Sequence, residues 1–576
     1  MSEEKNKTSV SFVQKRPTVE VHLPDGRVLC GPRGAMAAEF LETLPEADNP
    51  PIVGAILNNE LRELTYPIHI DSTIRPVTMG EADGMRIYRR SLVFLLETAF
   101  SECFPGETLV VDHSVSSGGY YCQSPEHSPF SQDELKHLEN AMRELAEADL
   151  PFTRKQVPIN EAASYFRAQG ADDKLRLIAH RQKDYLTLYE LEDHYDYHHG
   201  YMVPSTGYLK WFQLEATAEG FTLRFPRRHA PTTLLPQPDY PKLLNTFRRY
   251  GSWLELLGIS SVGALNDAIR DKRIREIILV SEALHERHVA EIASQISQNR
   301  DSLRIITVAG PSSSGKTTFA KRLTIQLLAS GLSPFPLEMD NYFVDRDQTP
   351  LDEDGNPDYE TAQALDRKRL AEDLHNLVLG KRVKLPRFDF ITGKSGEGKE
   401  VQLHSGQIII LEGIHGLNPE LMSYLPAQQT LRVYISALTQ LNLDRHNRIS
   451  TTDTRLIRRI VRDARERGYP AIHTIKGWES VRRGEKRYIF PYQENADLMF
   501  NSALAYELAA LKPLAEPLLR QVPFGTPEYV EAKRLLALLE WFLPLESDLI
   551  PDNSILREFI GGSILREFTL WHNKFL

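Results

Sequence analysis

The stretch Leu303–Thr318, LRIITVAGPSSSGKTT, decides how the second half of this chain is read. Its first seven residues are nearly all apolar, as a central parallel strand buried on both faces requires. They run into Gly310, Pro311, Ser312, Ser313, Ser314, Gly315, Lys316, Thr317 and Thr318, a GxxxxGK[ST] loop followed by a helical period. In that strand–loop–helix context the glycines let backbone N–H groups turn inward around phosphates at the positive end of a helix. Lys316 is then expected on the β- and γ-phosphates, and Thr317 on Mg²⁺. Gly310, Ser312, Ser313, Ser314, Gly315, Lys316, Thr317 and Thr318 together form the expected nucleotide-binding set, with ATP as the nucleotide.

Working outward, strands alternate with helices after residue 303, which predicts a parallel sheet flanked by helices. Phe335–Met339 delivers Asp340 at a strand's C-terminal end, and Gln407–Leu411 delivers Glu412 in the same way. Ligands bind at that edge of an open α/β sheet. One carboxylate there can orient or deprotonate an attacking hydroxyl, and the other can hold the metal. Further on, Arg455, Arg458, Arg459 and Arg462 fall at spacings of three and four, one basic helix face suited to closing over phosphates.

These pieces, with MDNYF at 339–343, PRFDF at 386–390, ILEGIHGL at 410–417 and DTRLIRRIVRDARERG at 453–468, resemble the uridine kinase/phosphoribulokinase family. The resemblance implies Asp340 as general base on a nucleoside 5′-hydroxyl and Glu412 beside Thr317 at the magnesium site. It implies Arg455 near the ribose and Arg458 and Arg462 in a phosphate lid. Where the family places a Tyr and a His against the pyrimidine, this chain has Phe388 and Gly393, and its ribose-binding Asp reads Glu360. The expected substrate-side residues are therefore Asp340, Glu360, Phe388 and Arg455, with Lys316, Asp340, Arg458 and Arg462 as the catalytic set. The implied activity is an ATP- and Mg²⁺-dependent nucleoside kinase acting on uridine or cytidine. The alternatives are a kinase of another small alcohol, such as a sugar or sugar phosphate, and a nucleotide- or RNA-binding sensor without transfer activity.

The N-terminal half reads differently. Val21–Leu29, VHLPDGRVL, resembles a TGS domain, a ubiquitin-like module of threonyl-tRNA synthetases. DHSVSSGGYYC at 112–122 and MVPSTGYLKWFQLEA at 202–216 resemble the second domain of the same synthetases, which edits mischarged tRNA. That site's HxxxH pair falls here on Arg90 and Phe94, and its later pair on His198 and Met202, so no editing chemistry is expected. His194, His198 and His199 invite a metal reading, but without a second ligand cluster within reach along the chain they read as a polar pocket wall.

At 576 residues the chain is too long for one domain. The expected division is a polar leader at 1–18 and a ubiquitin-fold domain at 19–85. A synthetase-like α+β domain follows at 86–230, then a linker with helices at 231–299. The P-loop kinase domain takes 300–546 and a tail 547–576. Within the first unit a helix is expected near Ala35–Leu44 and strands near Ile52–Leu57 and Leu64–Ile70. The tail repeats SILREF at 554–559 and 563–568, which reads as an amphipathic docking strip.

A net charge of −10 excludes a generally basic, nucleic-acid-coating surface, so nucleic acid is not an expected partner. Three cysteines make no disulfide framework. The opening MSEEKNKTSV has no apolar core, and no uncharged apolar run nears the ~18–20 residues that span a bilayer. The expectation is a cytoplasmic protein with a small-molecule substrate, no membrane partner and a homo-oligomeric state.

Overall fold

The computed structural model describes residues 14–44, 50–115, 118–127, 129–236, 239–353, 355–389, 392–422 and 425–568. The leader up to residue 13, Phe390 of the PRFDF segment and the last eight residues of the tail lie outside them.

In the first unit Thr18–His22 and Val28–Pro32 form the expected hairpin, turned at Gly26 with φ +86°, a left-handed backbone that suits glycine. The helix is short, Ala37–Leu41, and Ile52–Leu57 is a strand. The strand expected near Leu64–Ile70 is corrected: that segment is irregular, and the pairing strands are Glu60–Arg62 and Ser72–Thr78. The reason is visible in its bonding. Backbone groups of Leu64, Tyr66 and Ile68 serve the helix and its approach, at Ala38, Ala37 and Gly34 and Ala35, and are not free for a ladder. Ser72–Thr78 completes the sheet in parallel with Thr18–His22 and antiparallel with Ile52–Leu57.

The second unit is built on a 22-residue helix, Ala82–Cys103, most of whose middle is buried. Helix Gln132–Glu147 packs beside it, started by a capping box in which Ser131 and Glu134 bond each other's backbone N–H. A four-stranded and a three-stranded antiparallel sheet complete the unit.

The third unit has five parallel strands in the order Ser333–Glu338, Gln407–Glu412, Ile305–Ala309, Thr430–Ser436, Leu498–Asn501. The P-loop strand Ile305–Ala309 is central and buried at every position. Fully burying each such side chain is worth roughly 1.5–3 kcal/mol, so this strand anchors the loop that follows.

The proline-rich stretch at 226–241 leads into helices Pro241–Leu256, Val262–Arg270 and Ile274–Gln298. These are not a loose tether. One apolar core runs from Phe166 and Leu177 of the second unit through Tyr250, Val262 and Ile277 to Ile306 and Phe319 of the third. The segment following strand Thr430–Ser436 also crosses over. Asn442 and Arg448 donate to the Asp112 carbonyl, Arg445 pairs with Asp173, and Asn447 donates to the Tyr197 carbonyl. Among the described residues, no helix is long and apolar enough to cross a membrane.

Candidate active site

The loop between the central strand and helix Lys316–Ala329 is held in a cradle that only particular residues permit. A Cβ at Gly310 would lie 2.0 Å from the Ile435 carbonyl, so that backbone approach requires glycine. Gly315 has φ +85°, and Ser313, a non-glycine residue, is held at φ +57°. The hydroxyls of Ser313 and Ser314 are buried without hydrogen-bond partners, polar groups that point to a ligand-binding loop. Lys316 starts the helix, and its ammonium donates to the Pro311 carbonyl at 3.1 Å.

Two neighbouring strands deliver acids to the same place. Glu338 and Glu412 end adjacent parallel strands in register, and Asp340 follows in a tight turn, Met339–Tyr342. The Thr317 hydroxyl donates to Glu412 Oε1 at 3.1 Å. Burial pushes Glu412 up to about 8, with Asp340, Glu558 and Glu338 adding to the rise and Lys316 opposing it. Burial and Glu485 push Glu360 up to about 7, against Arg459 and Lys316. Asp340 has an exposed face yet is densely surrounded, and this desolvation raises it against Lys316 and Arg467. Lys316 thus acts as a counter-charge on all three carboxylates, with Arg467 adding to it at Asp340 and Arg459 at Glu360. A hydroxyl bonded to a carboxylate, inside a cluster of acids short of positive charge, is a donor set that fits Mg²⁺.

The arginine helix, Thr451–Arg467, departs from the expected lid. Arg455 and Arg458 are buried in full. Arg455 pairs with Glu485 and donates to the Ser312 carbonyl at 2.9 Å. Arg458 Nε donates to Glu507 at 2.6 Å, and its Nη2 to the Ser502 carbonyl at 2.9 Å. Arg459 donates to the Ser312 hydroxyl at 2.8 Å, while Arg462 turns to Asp463 at 3.2 Å. The reason is that a loop turning its N–H groups inward leaves carbonyls outside that need buried donors. Arg455 and Arg458 brace the loop from behind and do not lie over its mouth. Glu485 accepts from Ser312 N–H as well, and although burial works against its charge, Arg455 and Arg482 hold it down at about 2.

On the acceptor side Phe388 is buried against Phe343, ring centroids 5.6 Å apart. Gly393 has φ +69°, and a Cβ there would meet the Arg346 guanidinium within 2.8 Å. Arg346 therefore fills the space into which a side chain at 393 would project.

Sequence reasoning missed Glu485, Glu507 and Glu558 as partners of the loop. Glu558 of the tail accepts from Thr318 N–H at 3.2 Å and from its hydroxyl at 2.8 Å. Glu485 and Glu558 bond the loop from 173 and 240 residues away, which leaves no local signal.

Residues 305–508 match the model of the Phosphoribulokinase / Uridine kinase family. That match covers about a third of the chain. The other similarity is to tRNA ligases. Threonine–tRNA ligase of Burkholderia orbicola is 34% identical over 204 residues, 35% of this chain and 32% of that protein, on the N-terminal side. The Burkholderia vietnamiensis ligase matches at the same identity and extent. The chain spans about a third of the length of these curated relatives. Among solved structures, D-glycerate 3-kinase from Cryptococcus neoformans is 17% identical, covering 36% of this chain and 87% of its own, with a TM-score of 0.26. That overlap is too partial to bear on function.

In the ligase-like half, the Arg90 guanidinium bonds the Tyr201 carbonyl and lies over Gly200, and Phe94 is buried against the rings of His194 and His198. The positions that resemble the editing pair are filled by a salt-stable brace and an apolar ring.

Proposed function

We propose that the P-loop domain transfers the γ-phosphoryl group of ATP to the primary hydroxyl of a nucleoside-like small molecule, most simply uridine or cytidine. The observation that carries this is the Thr317 hydroxyl of the P-loop bonded to Glu412 at the end of one strand, with Asp340 delivered just past the end of the adjacent parallel strand.

In this reading the N–H groups of residues 313–318 bind the phosphates, and Lys316 neutralises charge on the transferring group. Thr317 and Glu412 would hold Mg²⁺, which when bound supplies positive charge to bridging phosphate oxygens. Asp340 accepts the proton of the attacking hydroxyl, and its raised pKa makes it a better base than an exposed aspartate. Glu360 holds the acceptor's neighbouring hydroxyls. Arg455 and Arg458 act indirectly, by fixing the loop.

A second reading is favoured by one observation. Phe388 offers no hydroxyl and Arg346 stands over Gly393, so the groups that would read a pyrimidine are replaced. A sugar or sugar phosphate would suit that pocket. Removing hydrogen-bonding groups from a base pocket costs selectivity between bases.

The test is ATP consumption with Mg²⁺ over a panel of nucleosides, sugars and sugar phosphates, alongside Asp340→Asn. Turnover with uridine or cytidine that the variant lacks is the expected result. Turnover confined to a sugar or sugar phosphate supports the second reading. Tight ATP binding with no turnover on any acceptor overturns both, in favour of a nucleotide sensor.

A further inference from the structure

The ligase-like half contains a second cluster of charged groups, sealed between it and the kinase domain. Glu97 lies in the middle of helix Ala82–Cys103, within the apolar run Leu92–Phe100, and its side chain is 1% exposed. His194 and Asp196 come from strand His194–Tyr197, and His446 comes from the kinase-domain segment that crosses over. Neither carboxylate oxygen of Glu97 has an aligned hydrogen-bond donor, and His194 Nε2 and His198 Nε2 are likewise unpartnered. A buried carboxylate left this way costs several kcal/mol unless another group compensates it.

The spacing indicates what compensates it. His446 Nδ1 stands 3.1 Å from Glu97 Oε2 and 2.7 Å from Asp196 Oδ2, and His194 Nε2 stands 3.8 Å from Glu97 Oε2. Donor atoms of Glu97, His194 and Asp196 all lie within 4.8 Å of one another. Ligands at roughly 2.0–2.2 Å from a common ion sit about 3–3.5 Å apart, close to this spacing. The surroundings orient the same atoms. His446 Nε2 donates to the Leu109 carbonyl at 3.2 Å, so an ion that displaces the Nδ1 proton would meet the lone pair on the side of Asp196 and Glu97. His198 Nε2 stands 3.2 Å from the other Glu97 oxygen, and Lys174 bonds Asp196 at 2.7 Å. Charge agrees. Glu97, Asp196 and Asp444 face one ammonium, Lys174, since Asp173 is paired with Arg445. Two negative charges remain, facing the imidazoles of His194, His198 and His446, and one dication in place of the imidazole protons neutralises them.

We propose that Glu97, His194, Asp196 and His446 bind one divalent transition-metal ion that pins the ligase-like domain to the kinase domain. Mixed imidazole and carboxylate donors suit Zn²⁺, Mn²⁺ or Fe²⁺ better than Ca²⁺ or Mg²⁺. His194, partly exposed, gives the ion a way in.

The experiment uses the full chain, stripped with chelator, desalted and titrated with Co²⁺ and Zn²⁺. Expected are one equivalent bound, Co²⁺ absorption in the visible, and a raised unfolding midpoint with Zn²⁺. His194→Ala and Glu97→Gln should each weaken binding at least tenfold, while Thr317→Ala, at the P-loop, keeps the Co²⁺ spectrum. No bound equivalent in the parent chain overturns the proposal, as does a spectrum lost in Thr317→Ala. Should the Glu97 variant fail to fold, the parent spectrum and the milder His194→Ala variant still decide.

A separate observation concerns the tail, and its meaning rests on the P-loop reading above. Ser554, Ile555, Leu556 and Phe559 of the first SILREF copy are buried, Ile555 against Gly315 and Phe559 under the Arg458 guanidinium at 4.9 Å. Glu558 thereby brings a carboxylate onto Thr318 N–H, one of the first helical N–H groups that would otherwise meet phosphate. The second copy is only partly packed, with Ile564 exposed, Leu565 buried and the Leu565 carbonyl accepting from Lys321 at 2.8 Å. We infer that Glu558 competes with nucleotide phosphates for the loop, so the tail lowers ATP affinity until it withdraws.

Equilibrium ATP binding to the full chain and to Glu558→Ala and Glu558→Gln tests this. Both variants should bind ATP several-fold more tightly with the unfolding midpoint little changed. Equal or weaker affinity overturns the inference and makes Glu558 a structural cap. No ATP binding by any of the three chains overturns the P-loop reading itself.

Discussion

Two buried clusters of acids in this molecule invite comparison. At the P-loop, Asp340, Glu360 and Glu412 share Lys316, with backbone N–H groups beside them and an opening to solvent. Between the domains, Glu97, Asp196 and Asp444 share Lys174, with imidazoles beside them and little opening. In the first, burial raises all three carboxylates, Glu360 to about 7 and Glu412 to about 8, and Lys316 only partly opposes it. In the second, burial is outweighed, at Glu97 by His198 and His446 and at Asp196 by Lys174 and His446, and both are held below the usual carboxylate range. The contrast separates a site poised to take a ligand and exchange protons from one suited to holding two domains in place.

The predictions test that contrast, starting with the largest effect. Asp340→Asn should lower turnover by ~10²–10⁴-fold while ATP affinity stays, measured by steady-state kinetics and equilibrium binding. An unchanged rate would remove the first cluster's claim to chemistry. Lys316→Ala should cost ~10²–10³-fold in turnover, and it should also lower the pKa-raised carboxylates' tolerance of ATP, read as weaker ATP binding. Glu485→Gln leaves Arg455 buried without its ion pair, and should cost about 3–5 kcal/mol in denaturant unfolding. A loss near zero would mean that the loop does not depend on its brace.

The smallest effect is in pH. Glu412 is raised to about 8, so between its unfolded value near 4.5 and 8 the folded state holds a proton that the unfolded chain releases. Stability from this group is therefore full at the acid end and falls as pH rises through that window. Unfolding midpoints from pH 5 to 9 should decline more steeply in the parent than in Glu412→Gln, and Mg²⁺ with ATP should flatten the parent's slope.

Much of the candidate site's local structure was legible along the chain because its parts are local. GPSSSGKTT carries its own strand, loop and helix, and Asp340 and Glu412 are the residues at which apolar strand runs end. The arginine face was legible as a pattern and not as an orientation. Spacings of three and four place Arg455, Arg458 and Arg462 on one side of a helix, but which way that side turns depends on Glu485 and Glu507, which follow them at a distance. The strand at 64–70 failed for a similar reason, its backbone groups being taken by residues 34–38.

What this sequence determined by itself is the set of elements that pay their own local cost: an apolar strand, a glycine-bearing loop, a helical period. Only the tertiary structure decided which buried acid meets which cation. Glu97 is the one charged residue in the stretch Leu92–Phe100 until His194 and Asp196, about a hundred residues on, and His446, more than three hundred on, are brought against it. Charge acts through space, and so pairing is settled by packing and not by order along the chain.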